Sequence, residues 1–321
     1  MYLCQDLQNF RKYAIIITEV IVIRFDIKNC TLCPRACHAD RTKTQGFCGG
    51  TDTARAAAAM LHFWEEPCIS GKNGSGAVFF SGCSLQCCFC QNESISGQNF
   101  GTEISVQRLS EIFLELQAKG ANNINLVTAC HVLPWVIPAL EKVKSELKIP
   151  VIYNSGGYEL VSSLHMLDGL IDVYLPDFKF FDSHTAELYA HAPDYPEIAE
   201  QALTEMLRQT GKPVLENHLI QKGVILRHLV MPQHRHESIA LLQHLAGKFS
   251  PDSFLLSLMA QYTPVGKQAF PELNRRITKM EYQSVLKVAA ALGFAGYSQD
   301  KASAQSEYTP DFHLQGLIHT Q

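Results

Sequence analysis

Residues 77–92 read AVFFSGCSLQCCFCQN: a five-residue apolar run, a glycine turn, then Cys83, Cys87, Cys88 and Cys90 within eight positions. The run is too short for a helix and is bounded by glycine, so it reads as a buried strand. A buried strand that runs directly into a loop of metal-ligand residues is the opening of a β/α unit. In such units the chemistry sits at the carboxyl ends of the strands.

Downstream the pattern repeats. Short apolar runs recur at Ile124–Thr128, Pro150–Tyr153, Leu170–Leu175, Gly223–Val230 and Ser253–Met259. Between and after them lie helical stretches at Ser105–Lys119, Leu133–Leu147, Glu159–Leu167, Tyr195–Gln209, Glu237–Lys248 and Lys279–Leu292. In the first of these, Leu109, Ile112, Phe113 and Leu116 recur at three- and four-residue steps, which gives a one-sided helix. Alternating buried strands and helices imply a parallel sheet. Six units, against the eight of a closed barrel, predict an α/β fold in the form of a partial (β/α)6 barrel spanning 77–300. Before it come an extension at 1–28 and a Cys-rich module with lead-in loop at 29–76. A tail follows at 301–321.

The chain has 321 residues, 46% hydrophobic and 18% charged, a balance that excludes a disordered class. Its net charge of −4 argues against a general nucleic-acid binder, which needs a basic surface. The run YAIIITEVIVIRF, Tyr13–Phe25, is too short to span a bilayer and is interrupted by Thr18 and Glu19. No small-residue cleavage site follows it. We expect neither a membrane nor a nucleic-acid partner, and a cytoplasmic location. Eleven cysteines, eight of them in two tight clusters, suit metal or cluster ligation in a reducing compartment better than disulfides.

Cys83-x3-Cys87-x2-Cys90 offers three thiolates from one loop. Zinc sites take four protein ligands, and bacterial ferredoxins add a fourth cysteine followed by proline. No later Cys-Pro exists here. Three thiolates on a [4Fe–4S] cluster leave one iron open, while a zinc or redox loop is the alternative.

CxxxCx(aromatic)C after the first strand resembles the radical S-adenosylmethionine (SAM) superfamily. The similarity is greatest to an uncharacterised branch that carries the name pyruvate formate-lyase activating enzyme. It rests on CTLCPRACHADR, GFCG, EEPCISGKNGSGAVFFSGCSLQCCFCQN, YLPDFKFFD, APDYPEIA, RHLVMP, AQYTPVGK and FPELNRR. The resemblance implies that Cys83, Cys87 and Cys90 hold [4Fe–4S], that Phe89 is the aromatic before the third ligand, and that Cys88 is a bystander. SAM fills the open iron. Electrons come from flavodoxin or ferredoxin, and the radical formed takes hydrogen from a substrate, in the activases a glycine of a partner enzyme. Modification of a small molecule, RNA or peptide is a second reading. A metal-stapled scaffold or electron carrier is the reading outside enzymes.

By order along the barrel, the resemblance places Asn154, Lys179 and Arg227 near SAM, with Asp177 beside them and Gln261 or Tyr262 on the adenosine. A bidentate Arg227 suits a planar carboxylate. Where most relatives carry a Gly-Gly-Glu-like tract, this chain reads Thr128-Ala129-Cys130-His131. Thr128 or His131 would then be the polar contact, and Cys130 a small core residue or, alternatively, a redox or hydrogen-donating thiol near the substrate. The quartet Cys30, Cys33, Cys37 and Cys48 suits a structural zinc or a second iron–sulfur cluster. A second cluster would relay electrons only if the two centres are close. His62, Glu65 and Glu66 are expected at the active-site mouth. The Gly-rich SGKNGSG, 70–76, is expected to let backbone approach SAM or the cluster.

Overall fold

The computed structural model describes residues 25–266, 268–299, 310 and 312–318. The apolar run up to Arg24 and most of the tail from 301 lie outside the described residues. The strands are β1 (Ala54–His62), β2 (Ser75–Phe80), β3 (Thr102–Ile104), β4 (Ile124–Val127) and β5 (Val151–Ser155). They continue with β6 (Val173–Pro176), β7 (Val214–Glu216), β8 (Leu219–Leu229), β9 (Leu255–Met259) and β10 (Gly296–Ser298).

The sheet order is β10-β9-β8-β6-β5-β4-β2-β1-β3, with β7 paired to β8. The six expected strands are β2, β4, β5, β6, β8 and β9, and every pairing along that path is parallel. β10 extends the parallel set, while β1 and β3 run antiparallel at the other edge. Neither edge strand closes onto the other, so the barrel is open. It nonetheless curls, because Gln91 Nε2, in the loop after β2, donates to the carbonyl of Gln261 after β9 at 3.4 Å.

The period-2 alternation of strands sorts the two faces. Val78, Leu126, Tyr153, Tyr174, Leu226 and Leu256 share one core with the helices outside the barrel. Ile152, Val173, Leu175 and Ile225 point inward and pack on Cys68 and Ile69. Two residues further along each strand, the same inward face carries Asn154, Asp177 and Arg227. A polar layer therefore sits directly above an apolar plug.

The helix Val106–Ala118 buries Leu109, Ile112, Phe113 and Leu116, and is capped by Ser105, whose side chain accepts from the amide of Arg108 at 3.1 Å. The helix Ser183–Ala190 was not expected. It starts at Asp182, whose carboxylate accepts from the amide of Thr185 at 2.8 Å.

β1 carries the sheet back past the expected boundary at residue 77. Ala56–Ala59 are four consecutive alanines, which favour helix in isolation. Here β2 pairing and burial override that preference, since all four are at most 3% exposed. Part of the tail belongs to the same sheet region. The amide of Leu314 donates to Ala57 at 3.0 Å, and Ala59 donates to Gln315 at 2.8 Å.

Candidate functional site

The carboxyl ends of the parallel strands open into a cavity of about 240 Å³. Cys83, Cys87 and Cys90 line it, and so do Thr128, Asn154, Asp177, Lys179, Arg227, Gln261 and Tyr262. Most of the side chains expected from the sequence are therefore on one surface. Two are not: Glu66 and His131 line no part of it, and His131 is buried behind the loop, 2% exposed. Cys130 is buried there as well, 2% exposed, as a small core residue would be.

The cysteine loop is tightly laid. The amide of Leu85 donates to Cys83 Sγ at 3.4 Å, and Ser96 Oγ donates to Cys90 Sγ at 3.2 Å. Donors aimed at sulfur are what a thiolate bound to iron requires, so the donor set fits a cluster. Burial raises the thiols of Cys83 and Cys87, and the ammonium of Lys179 works against that rise at both. Cys88 differs: it is exposed, and its amide donates outward to the carbonyl of Tyr189 at 2.9 Å. Phe89 is buried and edge-on to Phe180, Tyr189 and Tyr262. The aromatic thus anchors the loop on the barrel wall. Among the described residues, no group of three or more His, Cys, Asp or Glu side chains is drawn in around a single ion position. Thiolates of a cluster bind separate irons, so they need not converge on one point.

Below the loop lies a network of charges. Arg227 donates from Nε to Asp177 at 2.9 Å, from one terminal nitrogen to Glu65 at 3.2 Å and from the other to Asn154 Oδ1 at 2.6 Å. The Asn154 amide donates to Glu65 at 3.2 Å. Lys179 is paired with Asp177. Burial alone would push the Asp177 carboxyl up, but Arg227 and Lys179 hold it below the usual range. Burial also opposes the charge of Lys179, and Asp177 with Cys87 outweighs it. The guanidinium of Arg227 is thus committed to three groups of its own chain, which departs from its expected free fork. Lys179 keeps donor capacity, since an ammonium has three N–H groups and Asp177 takes one.

Glu65 and Glu66 do not stand at a mouth. Their backbone enters from the foot of the barrel and the side chains point up into its interior. Asn125 Nδ2 of β4 donates to Glu65 at 3.1 Å, and burial raises both carboxyls. Glu66 Oε2 is buried without a partner. His62 lines the cavity, stands edge-on to Phe79 at 5.8 Å, and is held neutral by burial with a pKa of about 4. Residues 70–76 lie at the foot too, opposite the cysteine loop. There Ser75 Oγ donates to Asn123 at 2.6 Å and Asn123 Nδ2 donates to Ile69 at 2.8 Å. The glycine-rich run therefore packs the sheet's floor rather than the cluster, because it leads into the amino end of β2, which Ser75 opens, while the chemistry follows the carboxyl end.

Thr128 takes φ +58°, a left-handed conformation that β-branched residues seldom adopt, and its amide donates to Asn154 at 2.8 Å. The tract that replaces Gly-Gly-Glu thus keeps a glycine-like backbone on the cavity. Tyr262 presents its ring, while its hydroxyl is spent on the carbonyl of Leu273 at 2.7 Å. The Gln261 amide oxygen accepts from Gln299 at 2.8 Å.

Among the interior groups that sequence reasoning did not single out are Asn125, which bonds Glu65, and the acid Glu159. Glu159, 3% exposed, accepts from Tyr153 at 3.2 Å and lies against the Cys130 thiol. Burial lifts its pKa to about 7. A lone acid at the start of an expected helical stretch, two residues before the helix that begins at Val161, was the available signal.

Residues 69–181 match the model of a 4Fe-4S single cluster domain. An uncharacterised protein of Methanocaldococcus jannaschii is 30% identical over 282 residues, 84% of this chain and 77% of its own length. The chain belongs to the family of that archaeal protein. Among solved structures, Streptococcus suis SuiB bound to S-adenosylmethionine is 12% identical, with a TM-score of 0.48 over 68% of this chain. This chain spans about half of SuiB, 48% of its length. Methylornithine synthase is 13% identical, with a TM-score of 0.46 over 73% of this chain and 68% of its own.

Proposed function

We propose that this chain is a radical SAM enzyme whose [4Fe–4S] cluster is held by Cys83, Cys87 and Cys90. The observation that carries the reading is the three-thiol loop at the carboxyl end of β2, facing the same cavity as Asn154, Asp177, Lys179 and Gln261. The match of residues 69–181 to a 4Fe-4S single cluster domain supports it. The cluster that Cys83, Cys87 and Cys90 would hold would supply, with SAM bound beside it, one-electron reductive cleavage of SAM to methionine and a 5′-deoxyadenosyl radical for hydrogen-atom abstraction from substrate.

The chain's own residues bind and orient. Lys179 reaches toward the cluster loop and has N–H groups left for a carboxylate. Arg227, Asp177, Glu65 and Asn154 fix each other, and so set the position of Lys179 without direct contact to the ligand. The rings of Phe89 and Tyr262 supply an apolar wall that limits water. A flavodoxin or ferredoxin delivers the electron.

The finer reading, abstraction from a backbone glycine of a partner protein, rests on the branch the sequence resembles. Thr128 in place of a Gly-Gly-Glu tract favours the alternative, modification of a small molecule, RNA or peptide. No described helix is long and apolar enough to cross a membrane.

The test is anaerobic reconstitution, then dithionite and SAM, with 5′-deoxyadenosine measured by chromatography. Its formation supports the reading. Its absence from a sample carrying a full cluster overturns it.

A further inference from the structure

Arg41 is a buried cation that no carboxylate pairs with among the described residues. It is 1% exposed. Its Nε donates to Thr51 at 2.8 Å and one terminal nitrogen donates to the carbonyl of His131 at 2.9 Å. The other terminal nitrogen is buried without a partner. The guanidinium also faces the rings of Trp135 and Phe25, at 5.3 and 5.7 Å from their centroids. Aromatic faces and two carbonyls do not supply the full counter-charge that a buried guanidinium requires.

The orphaned nitrogen is beside sulfur. A Cβ at Gly50 would lie 2.5 Å from it and 3.1 Å from Cys48 Sγ, so only glycine lets both occupy that spot. A Cβ at Gly46 would lie 3.5 Å from Cys37 Sγ and 3.6 Å from Cys48 Sγ. Cys30 completes the group through a hydrogen bond between its side chain and that of Cys37, and Cys33 is close enough to feel the charges of both Cys30 and Cys48. Two tight turns shape the quartet. Ala36 donates to Cys33 at 2.9 Å, Gly49 donates to Gly46 at 2.9 Å, and Ala36 and His38 both take positive φ.

We propose that Cys30, Cys33, Cys37 and Cys48 form a second, anionic metal–thiolate centre, and that Arg41 is its buried counter-charge. Binding releases the thiol protons to solvent as the metal–sulfur bonds form. Four thiolates around a zinc, or around a [4Fe–4S] cluster, leave the centre with two negative charges. One of them is met by Arg41 through an N–H···S contact. Among the described residues no three of these sulfurs yet converge on one ion position, so loading must draw them together. The inference stands apart from the radical reading, since it concerns only the quartet.

The experiment uses the full chain with Cys83, Cys87 and Cys90 all changed to Ala, so that the quartet alone can hold metal. Elemental analysis of the folded protein is expected to find one centre per chain, with zinc or iron plus sulfide distinguishing its two forms. A mercurial should release that metal. Arg41→Gln should lower retention against a chelator by fivefold or more, with Arg41→Lys losing less. Should the triple variant not fold, Cys37→Ser and Cys48→Ser in the otherwise intact chain must each remove one centre beyond the first cluster. A folded triple variant without metal and with the quartet thiols free overturns the proposal. So does Arg41→Gln that holds metal as the parent does.

Discussion

The backbone amide of Cys83 donates to the carbonyl of Cys48 at 3.2 Å, joining the first thiol of the cluster loop to the last of the N-terminal quartet. The closeness that a relay between two centres would need is therefore built into the backbone. Gly82 permits it: at φ +96° a Cβ would run into the Cys48 carbonyl and lie 3.0 Å from His131 Nε2. Gly82→Ala is predicted to break the link and to lower stability by about 2 kcal/mol or more. Urea denaturation and iron content of the reconstituted protein check it. Unchanged iron content would show that the loop holds its shape without Cys48.

Arg35 is the second tie between the same two regions. Its Nε donates to Ser84 at 2.8 Å, and one terminal nitrogen donates to Ala190 at 2.6 Å and to Leu85 at 3.4 Å. The remaining nitrogen donates to His191, and Phe47 stacks 4.2 Å from the guanidinium carbon. A planar fork serves several carbonyls at once, which a point ammonium cannot. Arg35→Ala should cost about 2–3 kcal/mol and release iron from the reconstituted protein several-fold faster under a chelator. Arg35→Lys should recover less than half of that. If both variants hold iron like the parent, the cluster loop does not depend on this clamp.

Cys88 separates ligand from bystander. It sits between two candidate ligands yet is exposed, with its backbone turned to Tyr189. Cys88→Ala should keep the full iron and sulfide content and the charge-transfer absorption of the reconstituted protein. Cys83→Ala, Cys87→Ala and Cys90→Ala should each lose the iron, sulfide and absorption of the barrel cluster, leaving only what the triple Ala variant of these cysteines retains. A Cys88 variant that loses its iron would redraw the ligand set.

The spacing of apolar runs was enough to expect six parallel strands, because each is buried on both faces and bounded by turn residues. It was not enough for β1, where four alanines carry no strand signature and only pairing with β2 decides. The cysteine spacing pointed to one loop, and that loop lines the cavity, since three thiols close in sequence need no distant partner to be brought together. Side chains whose role depends on neighbours far in sequence fared worse. Arg227 was expected free, but Asp177, Glu65 and Asn154 all reach it. Glu65 and Glu66 were expected at the active-site mouth because nothing local shows that the chain dips into the barrel from its foot there. His131 was expected, with Thr128, as a polar contact to SAM, whereas its Nε2 bonds the Ser81 carbonyl at 2.6 Å behind the loop.

Glu159 gives a pH signature. Burial carries its pKa from 4.5 to about 7. The folded state therefore holds a proton that the unfolded state releases, and stability falls as pH rises from about 4.5 through 7. The shift corresponds to roughly 3 kcal/mol at pH 8. Glu159→Gln keeps the shape and the bond from Tyr153 but has no proton to lose. It should match the parent near pH 4 and exceed it by up to about 3 kcal/mol at pH 8, read from urea midpoints. A stability difference that does not change with pH would mean that Glu159 is not strained by its charge.

Arg227 is predicted to be the most sensitive single position in the barrel interior. Arg227→Met leaves Asp177 and Glu65 buried without their shared cation, which should cost about 3–5 kcal/mol at pH 7.5. The pH dependence identifies the cause. In the parent, Arg227 and Lys179 depress the Asp177 pKa, so its contribution is present above the unfolded value near 3.8 and is lost only as pH falls through the lower folded value. Without Arg227 the burial of Asp177 and Glu65 is opposed less, their folded pKa values climb, and the variant loses stability as pH rises instead. The stability gap between parent and variant should therefore shrink as pH falls from 8 to 5. Lys179 would lose the fixed position of its partner Asp177, so SAM affinity measured on the reconstituted variant should fall about tenfold or more. A constant gap across pH would place the damage in packing rather than in charge.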